Sequence, residues 1–371
     1  MPLMRQPSKE IMKKISVLKR KKRTEAPSRI TNETVAEHRE RVLAGGRRFK
    51  YPIQYTKNRL VINVLIIGFA VLVTFLVFSW WQLYKVQTTD EFFYRIVRIA
   101  PLPVAKVEDQ FVQYGDYLLN YKISETYLNT VEKADQTSYA NGGNKNSIYD
   151  FYKAQAMRNA IADAYAQKLA NENGISITEK DVDTAIKNLL QATDGRNQIS
   201  KSTYDRANEQ LYGLSASENR YYLKERLLRQ AVAYKIDSQA LQAAEKMEKT
   251  LKQRSDTPLE QLSKEAEATG IKAQVAASGW VSKENKDGGL AIAAAKLTKG
   301  KTSGMIKPLT GDGYYFVRLL DTNKDGEINY QFIKIPLTVF KKQVDALFTT
   351  GKVKYYIAVP EAKTQLQTTD K

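Results

Sequence analysis

The chain has 371 residues, a normal apolar content and no cysteine, which excludes disulfides, thiol nucleophiles and cysteine-based zinc sites. Its one histidine, His38, lies in the N-terminal arm, so the rest of the chain has no Ser-His-Asp triad and no histidine metal site. The net charge is +18, and residues 1–60 hold 17 Lys/Arg against 5 Asp/Glu. The basic character therefore belongs mainly to this arm.

The basic arm, residues 1–58, has few aromatic residues and no recognisable nucleic-acid-binding module. We predict a disordered cytoplasmic arm that sets membrane topology and touches anionic lipid. Nucleic-acid binding is the less favoured alternative, and we expect no nucleic-acid partner.

The next segment, residues 59–84, is predicted to be a transmembrane helix. Residues 60–84, LVINVLIIGFAVLVTFLVFSWWQLY, carry no charge and are long enough to cross a bilayer. Trp80, Trp81 and Tyr84 lie at the far end, where aromatic rings favour the headgroup region. No small-residue cleavage site follows, which argues against a signal peptide. Because Lys and Arg precede the span, we predict a single-pass protein of the cell membrane with a cytoplasmic N-terminus and residues 85–371 outside.

Residues 100–237 carry mostly helical patterns. A short β-hairpin at 104–112 leads into a helix at 117–131, and apolar residues at helical spacing predict another helix at 148–172. Capping boxes at 178–181 and 215–218 open two more helices. In the first of these, Leu189 is expected to face inward.

This succession resembles the N-terminal domain of SurA- and PrsA-type chaperones. The similar segments are VAKVEDQFVQYGDYL, MRNAIADAYAQKLANENGISITEKDVDTAI and YGLSASENRYYLKERLLRQAV, in that order. The resemblance implies binding of unfolded or nascent exported polypeptides through exposed apolar and aromatic patches. Tyr221, Tyr222, Tyr204 and Tyr212 are candidate patch residues, with core packing as the alternative for each.

Residues 238–337 resemble a second family. The stretch GWVSKENKDGGLAIAAAKLTKGKTSGMIKPLTGDGYYFVRLLD is similar to parvulin-type (PpiC) peptidyl-prolyl isomerases. The matching positions are Gly279, Trp280, Ser282, Ala293, Ala294, Leu297, Gly300, Ser303, Gly313 and Tyr314. The resemblance implies an α/β domain with a small antiparallel sheet that binds proline-containing segments.

The catalytic positions of that family are altered. Lys286 stands where the family has its pocket methionine, Leu290 where it has phenylalanine, and Tyr315 where it has a strand histidine. Phe332 stands where the other histidine would fall if the strand 328–337 replaces a missing first strand. No catalytic residue is therefore assigned, and whether the domain is an enzyme stays open, with binding alone favoured. The candidate substrate-binding residues are Trp280, Leu290, Met305, Tyr315, Phe332, Tyr221 and Tyr222.

The strand at 328–337 has three interpretations: a permuted parvulin strand that completes the sheet, an ordinary extra strand, or the start of a degenerate second copy. Before it, DTNKDGEI resembles part of a calcium loop but lacks the closing glutamate, so a turn between strands is favoured. Residues 338–360 predict a helix and a strand, and 361–371 a disordered tail.

Together these patterns predict an α+β fold: an N-terminal transmembrane helix, a mostly α-helical chaperone domain and a parvulin-like domain. The predicted function is a membrane-anchored extracytoplasmic folding factor that binds unfolded exported polypeptides, without cofactor or metal. One alternative is an active isomerase of the same architecture. A second is an envelope-assembly or structural protein that binds a single partner.

Overall fold

A computed structural model describes residues 31–50, 52–131, 145–191, 199–268, 270–308 and 310–360. Within them the α+β class is confirmed, with helices predominating and two small antiparallel sheets. The chain divides into two compact units, Met1–Phe78 and Ser79–Lys371.

The first unit contains helix α1 (Asn32–Lys50) and most of helix α2 (Pro52–Trp81). The structure differs here from the disorder predicted for residues 1–58. Helix α1 forms because its sequence is rich in Arg, Glu and Ala, and because the Thr34 hydroxyl accepts the backbone N–H of Thr31 at its start. Residues 1–30 of the predicted arm lie outside the described residues.

Helix α2 carries the predicted membrane segment. Residues Asn58–Val86 are the one stretch, among the described residues, that is long and apolar enough to cross a membrane. Its large apolar side chains from Leu60 to Phe78 are all exposed. Length and composition therefore agree with the predicted span.

The second unit begins within the C-terminal turns of this helix, which continue as a π-helix (Gln82–Val86) and are followed by α3 (Glu91–Ile99). Ser79 and Leu83 are buried in protein, and Tyr114 donates its hydroxyl to the Leu83 carbonyl at 2.7 Å. The predicted span ended at residue 84, whereas the structure already packs residues from 79 onward into the folded body.

A helical domain follows, with the predicted hairpin and both capping boxes in place. Its elements are β1 (Pro103–Val107), β2 (Gln110–Gln113), α4 (Tyr114–Val131), α5 (Lys145–Asn173), α6 (Glu179–Gln191), α7 (Lys201–Tyr212) and α8 (Ala216–Ile236). Buried side chains of the hairpin, α4, α5 and α8 form one core.

The sheet domain contains the antiparallel sheet β3-β5-β4. Its elements are α9 (Ser238–Gln253), α10 (Leu259–Glu267), β3 (Gln274–Val281), α11 (Leu290–Ala294), β4 (Gly313–Thr322) and β5 (Ile328–Pro336). Strand β5 lies in the centre and pairs with both neighbours, so this segment completes the sheet. Whether it is a permuted parvulin strand or an ordinary one stays a prediction. The loop between β4 and β5 is a turn in which Asn323 accepts the Glu327 N–H.

The C-terminal segment returns to the helical domain. Helix α12 (Val339–Thr349) and strand β6 (Val353–Tyr355) form where the sequence predicts them. Strand β6 pairs antiparallel with β1, and Phe340, Val344 and Leu347 of α12 join the helical core. The predicted separate segment 338–360 is thus part of the packing of the helical domain.

One carboxylate lies at the junction of the two domains. Asp237 separates α8 from α9 and is 2% exposed. Its side chain accepts backbone N–H groups from Ala240 in α9 and from Thr338 and Val339 at the start of α12. The chain thus leaves and re-enters the helical domain beside the same side chain.

Candidate functional site

A groove with a volume of about 530 Å³ lies between α4, α6, α7 and α8 of the helical domain. One face of α8 forms its base, with residues recurring at the spacing of a helical stripe. These residues are Asn219, Tyr222, Leu223, Arg226, Leu227 and Gln230. The opposing walls contribute Ile123, Ala185, Leu189, Tyr204, Asn208, Tyr212 and Leu214. Most of the lining is apolar or aromatic.

A tight corner between α7 and α8 shapes the groove. Helix α7 begins at Ser200, whose hydroxyl accepts the Thr203 N–H, and ends at Gly213 with φ of 68°. Only glycine adopts this conformation without strain, and a Cβ at Gly213 would lie 2.7 Å from the Thr126 hydroxyl. Ser215 then caps α8, two residues later. Short, locally determined signals therefore set the angle between two walls.

Tyrosines make up much of the groove's aromatic surface. Tyr212 stacks on Tyr127 with ring centroids 6.0 Å apart and planes at 13°. The Arg226 guanidinium lies 5.7 Å from the centre of the Tyr222 ring. Three of the four candidate patch tyrosines, Tyr204, Tyr212 and Tyr222, line the groove.

Tyr221 lies elsewhere, in a polar network on another face of α8. Its hydroxyl donates to Asp116 at 2.7 Å, and the Arg98 guanidinium lies 4.3 Å from its ring centre. Burial raises the pKa of Asp116, against the opposing effects of the Tyr221 hydrogen bond and the Arg98 charge. Tyr221 therefore holds α8 against α3 and α4.

The same network includes Asp163 of α5, which is 7% exposed and ion-paired with Arg229. Burial, and then the charges of Asp163 and Asp116, raise the pKa of the neighbouring Glu225 to about 7. Three carboxyl groups thus share a partly buried region with two arginines. Because Glu225 titrates near neutrality, this packing is expected to respond to pH.

Asn219, in the first turn of α8, has an unusual environment. The residue is 5% exposed, and its Nδ2 has no hydrogen-bond partner among the residues that the structure describes. The groove's other asparagine, Asn208, donates its Nδ2 to the Tyr204 carbonyl at 2.8 Å. One side-chain donor at the groove is therefore satisfied and one is not.

In the sheet domain, three predicted positions come together. Leu290 and Tyr315 are buried at 5% and 7% exposure in one cluster, and Phe332 packs against it with its ring 5.8 Å from Tyr315. Because Leu290 and Tyr315 are packed inside, they form core in this structure. Their predicted contact with substrate stays a prediction.

The other predicted positions lie apart from this cluster. Met305 packs against a separate cluster that contains Tyr314 and Phe316 from the same strand, β4. Alternation along that strand puts these side chains on the opposite face of the sheet from Tyr315. Trp280 is 48% exposed and Lys286 is also exposed.

The Tyr315 hydroxyl lies beside charged side chains. It donates to Asp312 at 3.1 Å, and Asp312 also forms an ion pair with Lys334. Burial would raise the pKa of Asp312, but hydrogen bonds from Lys334 and Thr310 outweigh it and hold the pKa below its usual range. The tyrosine is therefore held beside a carboxylate and an ammonium group.

Metal ligands are not grouped in the part of the chain that the structure describes: no three His, Asp or Glu side chains there are placed to hold an ion.

One region of the chain matches a known protein family. Residues 54–233, just under half of the chain, match the family model of the SurA-like N-terminal domain. This part of the chain is therefore similar to the SurA-like N-terminal domain, which is found in chaperone-type folding factors. The match begins in α2, well before residue 100 where the sequence resemblance was placed, so it includes the apolar helix and α3. The groove lies entirely within this region, since its lining runs from residue 123 to residue 230.

No curated protein and no solved structure matches the chain significantly. The family match ends at residue 233 and does not bear on residues 238–337. Their resemblance to parvulin-type isomerases stays a prediction.

Sequence reasoning found the tyrosines of the groove and missed its other residues. Leu189 was expected to face inward, yet it is 37% exposed on the wall. Leu223 and Leu227 have the spacing of core residues, and Asn219 reads as an ordinary residue of a first helical turn. The one available signal was the length of the apolar stripe on α8.

Proposed function

We propose that the protein is a membrane-anchored folding factor that holds unfolded exported polypeptides in the groove between α4, α6, α7 and α8. The observation that carries this proposal is an open, largely apolar groove, lined by three tyrosines, within a SurA-like domain. Apolar concave surfaces of this size on a soluble domain are typical of binding sites.

The groove suits weak and tolerant binding. Leucine and tyrosine side chains offer contact area that does not depend on a particular sequence, and Arg226 adds a cation beside Tyr222. An unfolded segment would bury apolar side chains there and be released without nucleotide or covalent chemistry. Such binding would limit aggregation of the client polypeptide while its apolar segments are exposed to water.

Anchoring is the second part of the proposal. The exposed apolar stretch 60–78 is 19 residues long, which corresponds to about 28 Å of helix and matches the hydrocarbon thickness of a bilayer. Lysine and arginine before it favour a cytoplasmic N-terminus, with the second unit outside the membrane. Tethering would raise the local concentration of the groove where exported chains emerge.

We propose that the sheet domain assists binding without catalysing proline isomerisation. Of its altered parvulin-like positions, Leu290 and Tyr315 are buried and Lys286 is exposed, and the chain's only histidine lies in the N-terminal arm. An active isomerase remains the alternative that a proline peptide assay decides.

The test uses the full chain in lipid nanodiscs and measures suppression of aggregation of several unfolded, unrelated client proteins. Leu189→Asp should abolish most of the suppression by placing a charge in the groove. The matched control is Leu320→Asp, because Leu320 in the sheet domain is equally exposed, at 37%. Equal activity of both variants would refute the groove as the binding site.

The same assay separates the single-partner alternative. Suppression for several unrelated clients argues for a folding factor. No suppression for any client, together with stoichiometric capture of one native envelope protein, would instead support an assembly role.

A further inference from the structure

We infer that Asn219 recognises a backbone carbonyl of the bound polypeptide, so that the groove selects extended segments whose carbonyls are unpaired. The inference rests on the proposed function of the groove and adds a specific contact to it. It assigns a ligand-contacting role to a residue that has no evident role in the fold.

The first step is the environment of the amide. Asn219 is 5% exposed, and its Nδ2 is one of four buried side-chain atoms without a hydrogen-bond partner among the described residues. Of the four, it alone lies at the groove. Leaving a buried donor unpaired costs stability, so such a group calls for an explanation.

The second step is the chemistry of the surroundings. Near Asn219 the groove presents Tyr222 and Leu223 from the same face of α8 and Leu214 from the preceding corner. A ligand that fills this space must be mainly apolar and must also offer an acceptor to Nδ2. A polypeptide meets both requirements, because apolar side chains alternate with backbone carbonyls along every extended segment.

The third step is selectivity. In folded proteins nearly all backbone carbonyls are already hydrogen-bonded, and in a helix each interior carbonyl is occupied. A buried donor in an apolar groove therefore favours unfolded segments over folded ones of the same composition. This gives the groove a physical means to recognise non-native chains by their backbone as well as by their side chains.

The chain offers a matched control. Asn208 also lines the groove, but its Nδ2 is already bonded to the Tyr204 carbonyl within α7. Leucine is close in shape to asparagine and removes the donor in either position. Asn219→Leu and Asn208→Leu thus differ in whether an available donor or an occupied one is lost.

The experiment measures binding of a short unstructured peptide of phenylalanine, leucine and serine, labelled with fluorescein, to the full chain in nanodiscs. Asn219→Leu should weaken binding about tenfold, the usual consequence of losing one buried hydrogen bond. The urea midpoint of the free variant should stay unchanged or rise, because an unpaired buried donor is removed. Asn208→Leu should change peptide affinity less than Asn219→Leu.

A second arm tests the backbone carbonyl directly. Replacing single amides of the peptide by esters weakens one carbonyl acceptor at a time, and N-methylation at the same bond removes the N–H while leaving the carbonyl. At one position the ester should lower affinity for the wild type and have no effect on Asn219→Leu. A stapled helical form of the peptide should bind more weakly than the unstructured form.

Each outcome decides. Equal binding of the wild type and Asn219→Leu overturns the role of Asn219 and leaves the groove proposal standing. If Asn219→Leu binds the peptide more weakly and also has a lower urea midpoint than Asn208→Leu, Asn219 has a structural role, which also overturns the inference. An ester series without a sensitive position refutes the backbone contact. No binding by the wild type would mean that the proposed function itself has failed.

Discussion

Asp237→Ala should lower the free energy of unfolding of the second unit by about 3 kcal/mol. The carboxylate is 2% exposed and accepts three backbone N–H groups, from Ala240 at 3.1 Å, Thr338 at 2.7 Å and Val339 at 3.1 Å. Alanine leaves all three donors without this acceptor, and each lost capping bond costs roughly 1 kcal/mol.

The assay is urea unfolding of residues 79–371, followed by circular dichroism. This fragment keeps Ser79 and Leu83, which a cut after the predicted span would remove from the core. Asp183→Ala is the control, because Asp183 pairs with Arg220 on the surface and its side chain is 65% exposed. Such an exposed pair contributes only about 0.5 kcal/mol.

A third variant refines the test. Asp237→Asn keeps one oxygen, which suffices for both N–H groups of α12 because Thr338 and Val339 share Oδ2. It loses the bond to Ala240, so a loss of about 1 kcal/mol is expected. If Asp237→Ala loses no more than the surface control, the junction does not depend on this carboxylate and the reasoning is refuted.

Three further results are expected. Because the folded pKa of Glu225, about 7, exceeds its unfolded value, the stability this residue contributes is complete below the unfolded pKa and is lost as pH rises through about 7. In urea titrations at several pH values, Glu225→Gln should reduce this loss of unfolding free energy between about pH 5 and 8, whereas Glu267→Gln, at an exposed position, should leave it unchanged. The same pH dependence in Glu225→Gln as in the wild type would contradict the assignment to Glu225. Gly213→Ala should lower the free energy of unfolding by about 2 kcal/mol, and Gly174→Ala by about 1 kcal/mol. Both glycines have positive φ, but only at Gly213 would the added Cβ meet Thr126. Equal losses would show that the contact with Thr126 relaxes freely. In a protease-coupled assay the protein should not accelerate isomerisation of a proline peptide, and acceleration above the uncatalysed rate would establish an enzyme.

The sequence by itself determined the local elements. The capping boxes at Thr178 and Ser215 lie within four residues of sequence, and each forms as predicted. The hairpin at 103–113 and helix α12 follow from apolar spacing between turn residues. The uncharged run after Leu60 likewise predicts its helix from composition alone. Such features depend on neighbours along the chain, which the sequence displays directly.

Helix α1 shows a limit of this local reasoning. Net charge predicts disorder for the arm, yet residues 32–50 are rich in good helix formers, and Thr34 accepts the N–H of Thr31 at the start of the helix. Charge averaged over a long segment concealed a local signal that the sequence did contain.

Only the tertiary structure decided how distant segments meet. Strand β6 pairs with β1 across some 250 residues of sequence, and Asp237 contacts residues about 100 positions away. Neither contact leaves a periodic trace in the sequence, because many partners would satisfy the same strand edge or carboxylate.

The groove illustrates the same division. The stripe of Tyr222, Leu223 and Leu227 on α8 has the spacing of a buried face, and the sequence cannot show whether another helix covers it. The packing of α6 and α7 leaves it open, with Asn219 in the groove lining and its side-chain donor unpaired. Side-chain periodicity fixes which residues share a face, whereas burial depends on what the rest of the chain brings to that face.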